Sequence, residues 1–148
     1  MSAPEPSGPI APLLARVGDG PIAATECAAL VGHDAAGAVV TFEGVVRDHD
    51  GGRTVRWLDY SAHPEAEAVL RAVAEEVAAA HPGTRIAAAH RVGRLAIGDV
   101  ALAAAVSAAH RDRAFAACAA LVDAIKERVP IWKEQGFADG STEWVGSA

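Results

Sequence analysis

The stretch Ser107–Glu134, SAAHRDRAFAACAALVDAIKERVPIWKE, decides how the chain is read. Phe115, Cys118, Leu121, Val122, Ile125 and Val129 recur at helical spacing, which predicts an amphipathic helix from Asp112 to about Arg128. Asp112 or Ser107 is the candidate cap at its start. Pro130 ends it, because proline has no N–H to donate and disfavours helical geometry at Val129 before it. Ile131-Trp132-Lys133 then reads as a short extended segment. Lys126 falls in the last helical turn and Lys133 just past the proline. They are the only two lysines in the sequence, and the other eleven strong cations are arginine. Lysine is a compact charge whose pKa moves on burial, so it can add to a carbonyl or carry a proton; arginine does neither at neutral pH. The proline-forced turn can bring both amines to one site. The plainer alternative is two surface lysines, with Lys126 paired to Asp123 for roughly 0.2–0.5 kcal/mol.

Working outward, the 148 residues suit a flexible tail over residues 1–12 and a single domain over residues 13–148. The tail, MSAPEPSGPIAP, is rich in proline, serine and alanine. A net charge of −6 argues against general binding to nucleic acid or to an anionic membrane, both of which need a basic face. An anionic ligand must therefore meet a local basic cluster. Charged residues interrupt every apolar run before it reaches membrane-spanning length, and no secretory signal is evident. Cys27 and Cys118 stand far apart with no C-x-x-C spacing, which fits reduced core residues of a cytoplasmic protein and neither a zinc site nor a disulfide framework. No metal and no cofactor are expected.

Taken in order, Pro21-Ile-Ala-Ala is a candidate short strand, and Thr25 a candidate cap for a short helix after it. Ala38–Val46 is β-branched and apolar and predicts a strand. It runs into the polar turn Arg47–Gly52, and Thr54–Tyr60 returns, so the pair reads as a β-hairpin. His63-Pro64-Glu65 opens a helix with Val69, Leu70, Val73 and Val77 as its buried stripe, ending near His81-Pro82-Gly83. Arg85–Val92 and Val100–Ala108 are strands on either side of a turn, and Phe137–Val145 fits a last turn and a short edge strand. The order indicates an α+β fold: a mostly antiparallel sheet built from hairpins, with helices packed on one face.

The candidate chemistry is cationic: Arg47, His110, Arg111, Lys126 and Lys133, with Phe42 as a possible floor. Arginine offers a bidentate fork to phosphate and lysine a point charge. A lysine crowded by cations and partly dehydrated becomes a usable base or nucleophile. Arg47 reads equally well as a solvated turn residue paired with Asp48 or Asp50. The remaining histidines, His90 included, read as solvated or structural residues. Trp57 and Trp144 read as packing or interface residues, and Trp132 as a candidate pocket wall.

Three blocks together resemble the catalytic (large) subunit of molybdopterin synthase. They are Ala109-His110-Arg111 with Lys126-x-x-x-Pro130-x-Trp132-Lys133, then Gly37–His49 with Phe42, Gly44 and Arg47, then His90-Arg91-Val92-Gly93 followed by Gly98-Asp99. The resemblance spans roughly Pro21 to Trp144. It implies an α/β-hammerhead-like fold and transfer of sulfur to cyclic pyranopterin monophosphate, giving the dithiolene of molybdopterin. The donor would be the thiocarboxylated C-terminal Gly-Gly of a small ubiquitin-like subunit. It further implies that Lys126 and Lys133 are catalytic, that Arg47, His110 and Arg111 bind substrate, and that a homodimer forms the centre of a heterotetramer. Some members have arginine where Glu143 stands, so no substrate contact is placed on the C-terminal segment. The alternative is a non-catalytic dimeric module that binds a small phosphorylated ligand at the same cluster.

Overall fold

The computed structural model describes residues 11–146, so residues 1–10 of the expected tail lie outside the described residues. The described chain is α+β, with nine strands and three helices. Four strands form a first sheet in the order β1-β5-β7-β2: β1 (Leu14–Gly18), β5 (Arg85–Arg91), β7 (Val100–Ala108) and β2 (Ala38–Val45). Only β1 and β5 run parallel in it. The second sheet is built on β4 (Arg53–Ala62), which pairs with β3 (His49–Asp50), β6 (Gly93–Ala96) and β8 (Ile131–Phe137); β9 (Thr142–Gly146) adds to β8.

The two central strands of the first sheet are rich in alanine, and that composition sets the layers. Ala87, Ala103 and Ala105 face α1 (Ala24–Val31), where they pack with Cys27 and Val31. The alternate residues Ile86, Ala88, Leu102, Ala104 and Val106 face the other way, into the main core. That core is completed by Leu70 and Val73 of α2 (Ala66–Ala80) and Leu121 and Ile125 of α3 (Arg111–Arg128). Strands buried on both faces read as continuous apolar runs without alternation. The expectation of helices on one face is therefore corrected: α1 covers one side of the first sheet, and α2 and α3 cover the other. Cys27 and Cys118 are buried and free.

Several local readings also change. The chain over 21–23 is not a strand, and the N-terminal strand is β1, held by its parallel register of Leu14 on Ala87. Thr25 does not cap α1. The N-cap position is Ala23, and Glu43 reaches over from β2 to accept the Ala24 N–H at 3.0 Å, setting a carboxylate at the positive end of the helix dipole. The anticipated hairpin of Ala38–Val46 with Thr54–Tyr60 does not form, because β2 pairs with β7 in the other sheet. The hairpin joins β3 to β4 instead, with Gly51 and Gly52 at φ of 56° and 78°, the left-handed values a tight two-residue turn requires. Neither Asp112 nor Ser107 caps α3: its N-cap is His110, and the Ser107 hydroxyl donates to the carbonyl of Val31. Phe115 is 59% exposed, so the buried stripe of α3 is Ala114, Ala117, Cys118, Leu121 and Ile125.

The second sheet turns its tryptophans, Trp57, Trp132 and Trp144, away from the core, while Tyr60 and Phe137 are buried in it. The Trp57 ring stacks under the guanidinium of Arg94 at 3.6 Å and lies against the bare backbone of Gly136 on β8. A β-carbon at Gly136 would fall inside the Trp57 indole. Gly136→Ala is expected to lower stability by about 1–3 kcal/mol through overpacking. A thermal melt checks it: a midpoint unchanged from the parent chain contradicts this packing.

Candidate functional site

A cleft of about 260 Å³ opens between the two sheets at the C-terminal end of α3. Three of the expected cations line it: Arg47 from the end of β2, Lys126 from the last turn of α3 and Lys133 from β8. Its floor is apolar, made by Leu58 of β4, Leu102 of β7 and Ile125 of α3. The local cause of the convergence is the helix stop. Val129 adopts an extended conformation at φ −73°, ψ 121° before Pro130, and β8 begins one residue later. β8 then pairs antiparallel with β4, Lys133 opposite Tyr60 and Ile131 opposite Ala62. Alternation along β8 turns Ile131, Lys133 and Gln135 into the cleft and Trp132 out to solvent. Trp132 is therefore not a wall of the cleft.

Phe42 does not line the cleft either. It belongs to β2, and its ring packs beside Gly44, whose backbone does line it. His110 and Arg111 lie at the opposite end of α3 from Lys126, exposed, and roughly 22 Å away along the helix at 1.5 Å per residue. Within one chain the structure thus joins Arg47, Lys126 and Lys133 and leaves Phe42, His110 and Arg111 outside. Glu143, at the far edge, pairs with Arg53 at 3.7 Å.

The cleft also holds residues that sequence reasoning passed over. His90 of β5, Tyr60 of β4 and Gln135 of β8 all line it. Gln135 is buried and donates from Nε2 to Oδ2 of Asp50 at 2.8 Å, while the other Asp50 oxygen pairs with Arg47 at 3.4 Å. The chain Gln135–Asp50–Arg47 crosses from β8 to the β3–β4 hairpin. Arg47 pairs with Asp50 and also lines the cleft. The Gln135 amide, followed by the charges of Arg47 and Lys133, holds the Asp50 carboxyl below the usual carboxylate range. Among the described residues, no group of three or more His, Cys, Asp or Glu is placed to hold a metal ion.

Lys133 is half-buried, and this desolvation pushes its pKa below the ordinary 10.5. Asp50 opposes the shift, while Arg47 and Lys126 add to it. The folded chain therefore holds that proton less tightly than the unfolded chain does. The charged Lys133 opposes folding below its folded pKa, and the penalty is relieved as pH rises from there toward 10.5. The same shift supplies free amine at a lower pH than an exposed lysine would, which is what proton transfer to or from a reacting group needs.

The family model described as MoaE protein matches residues 17–128 of this chain. The chain belongs to the MoaE family. A molybdopterin synthase catalytic subunit from Nostoc sp. is 37% identical over 148 residues, covering 95% of this chain and 90% of that protein. Molybdopterin synthase catalytic subunit 1 of Mycobacterium tuberculosis is 39% identical over 134 residues, covering 88% of this chain and 89% of that one. The crystal structure of molybdopterin synthase from Staphylococcus aureus superposes with a TM-score of 0.82 at 36% identity, covering 88% of this chain and 95% of that chain. The fold, an α+β arrangement of curled, mostly antiparallel sheets, is the one found in that structure. Membership places this MoaE protein among the enzymes of molybdopterin biosynthesis.

The electrostatic account has a direct test. With two lysines in the chain, the side-chain amines give a spectrum simple enough to titrate by NMR. Asp50→Asn removes the opposing charge and is expected to move the Lys133 pKa further down, whereas Arg47→Gln is expected to move it up. A Lys133 that titrates at the value of a free lysine in the parent chain and both variants would contradict the half-buried placement.

Proposed function

We propose that this MoaE protein transfers sulfur from the thiocarboxylated C-terminus of a small ubiquitin-like subunit to cyclic pyranopterin monophosphate, forming the dithiolene of molybdopterin. The observation that carries the proposal is the convergence of Lys126, Lys133 and Arg47 on one cleft of a MoaE family member. Arg47 and a lysine ammonium are suited to the substrate's phosphate, the arginine as a fork and the lysine as a point charge. Lys126, the more exposed amine, stabilises the carbonyl oxygen of the thiocarboxylate as sulfur leaves it. Lys133, with its depressed pKa, moves protons as sulfur adds to the pterin and the cyclic phosphate opens. The apolar floor of Leu58, Leu102 and Ile125 strengthens each of these charge interactions by lowering the local dielectric.

The relatives named as catalytic subunits support a partner chain, whose glycine-ended tail would enter this cleft. His110 and Arg111 contribute to substrate binding in this reading when a second copy brings the start of its α3 to the cleft. We therefore assign a homodimer at the centre of a heterotetramer, acting in the cytoplasm, where two free buried thiols persist.

Reconstitution with the thiocarboxylated partner and the cyclic pterin phosphate tests the proposal. Lys126→Ala and Lys133→Ala are each expected to lower turnover by about 10²–10⁴-fold, the range for loss of a proton-transfer group, while the fold survives. Near-parent turnover in both would refute sulfur-transfer catalysis at this cleft. A Lys133→Arg variant that keeps full function would favour a module that only binds a phosphorylated ligand, because arginine keeps the charge and cannot release the proton.

A further inference from the structure

His90 lines the cleft and is only 3% exposed. Its Nδ1 lies 2.8 Å from the carbonyl oxygen of Arg91. A carbonyl can only accept, so Nδ1 carries a hydrogen and donates it. Burial, more than any other influence, pulls the imidazole below its usual pKa, and the charge of Lys126 pulls the same way against the bond to Arg91. The ring is therefore neutral at physiological pH, and its second nitrogen, Nε2, bears a lone pair and no proton. The Tyr60 ring meets the imidazole edge-on, centroids 5.2 Å apart at 69°, which fixes the ring plane. Among the described residues the buried side-chain nitrogen without a hydrogen-bond partner is Nε of Arg91, so Nε2 of His90 is not sealed away unpartnered. No carboxylate lines the cleft, and the Gln135 amide nitrogen is given to Asp50. An acceptor-only nitrogen thus shares the wall with the donors of Arg47, Lys126 and Lys133, where the other side-chain acceptors are the Gln135 amide oxygen and the Tyr60 hydroxyl.

We propose that Nε2 of His90 accepts a hydrogen bond from the Lys126 amine and holds that amine at the mouth of the reaction site, making His90 a positioning residue for Lys126. The inference rests on the sulfur-transfer reading for its consequence in turnover, though not for the contact itself. A neutral acceptor suits this task better than a carboxylate would. It orients the ammonium without neutralising the charge that the thiocarboxylate oxygen needs. The role also explains why a histidine, and not an apolar residue, occupies a buried position on a strand whose neighbours Ala87, Ala88 and Ala89 are all buried alanines.

Two substitutions separate the two ring nitrogens. In His90→Asn the amide nitrogen overlies Nδ1 and keeps the bond to Arg91 while Nε2 is lost. In His90→Gln the amide reaches the place of Nε2. In the reconstituted complex, His90→Asn is expected to lower kcat about five- to tenfold with KM little changed, the size of one lost hydrogen bond, and His90→Gln to recover most of it. A merely structural histidine gives the reverse order, asparagine tolerated and glutamine not, and that order would overturn the proposal. An NMR measurement on the free protein stands apart from turnover. The ¹⁵N spectrum of the parent is expected to show His90 as the Nδ1–H tautomer, with its Nε2 signal displaced in Lys126→Ala. A signal that does not move overturns the contact even if both variants fail to fold. Loss of all turnover in the parent chain, with the Nε2 signal displaced, would instead refute sulfur transfer and leave the contact standing.

Discussion

The structure depends on the break that Pro130 forces at the end of α3. Without an amide hydrogen at that position the helix cannot continue, and Val129 turns extended while its own N–H still closes the last helical bond to Ile125. The Pro130 carbonyl accepts from the His63 N–H at 3.0 Å, so the break is clamped to the far end of β4. From there the chain has one way to go, antiparallel along β4 as β8. A helix packed on the first sheet and a strand of the second sheet are thereby joined by two residues, Val129 and Pro130. The cleft is the gap left where these two units meet, and a lysine on each side of the break faces into it.

That arrangement sets electrostatics against stability. The chain carries a net charge of −6, yet it gathers an arginine and both of its lysines around one recess. Burial and mutual repulsion act against Lys133, and Asp50 is the compensating charge, held in place by the buried amide of Gln135. Groups kept in an unfavourable environment for their charge are typical of sites shaped for chemistry and not for stability. The neighbouring surface pairs contribute little by comparison, because Arg128–Glu76 and Arg47–Asp50 are exposed to water and salt.

The sequence was legible where one short-range rule governed the outcome. The body of α3, its stop at Pro130, the strands at Ala38–Val45, Arg85–Arg91 and Val100–Ala108, and the turn at Gly51-Gly52 all follow from local sterics and apolar spacing. Legibility failed where a distant partner decides. Nothing local to β2 distinguishes pairing with the next strand, β4, from pairing with the distant β7, since its backbone donors and acceptors suit either. Glu43 is a capping residue only because β2 passes the start of α1. Phe115 has the right spacing for the buried stripe, yet alanines on either side of that stripe suffice to pack α3 against the sheet, and the phenylalanine is left outside. His90 read as a core histidine, and it is indeed buried. Its place in the same cleft as Lys126 required knowing that β5 and α3 end at the same recess.

By itself the sequence determined the chemistry available: two primary amines, set on either side of a forced helix stop, in a chain otherwise confined to arginine. It also determined most of the elements, because helix periodicity, proline and paired glycines act over a few residues. Tertiary structure alone decided which side chains share a site. It brought Arg47 to the lysines through Asp50 and Gln135, added His90 and Tyr60, and left His110 and Arg111 at the other end of an 18-residue helix. The physical reason is that spacing fixes where a residue points along its own element, whereas the meeting of elements is set by which apolar faces bury one another, and that depends on the whole chain at once.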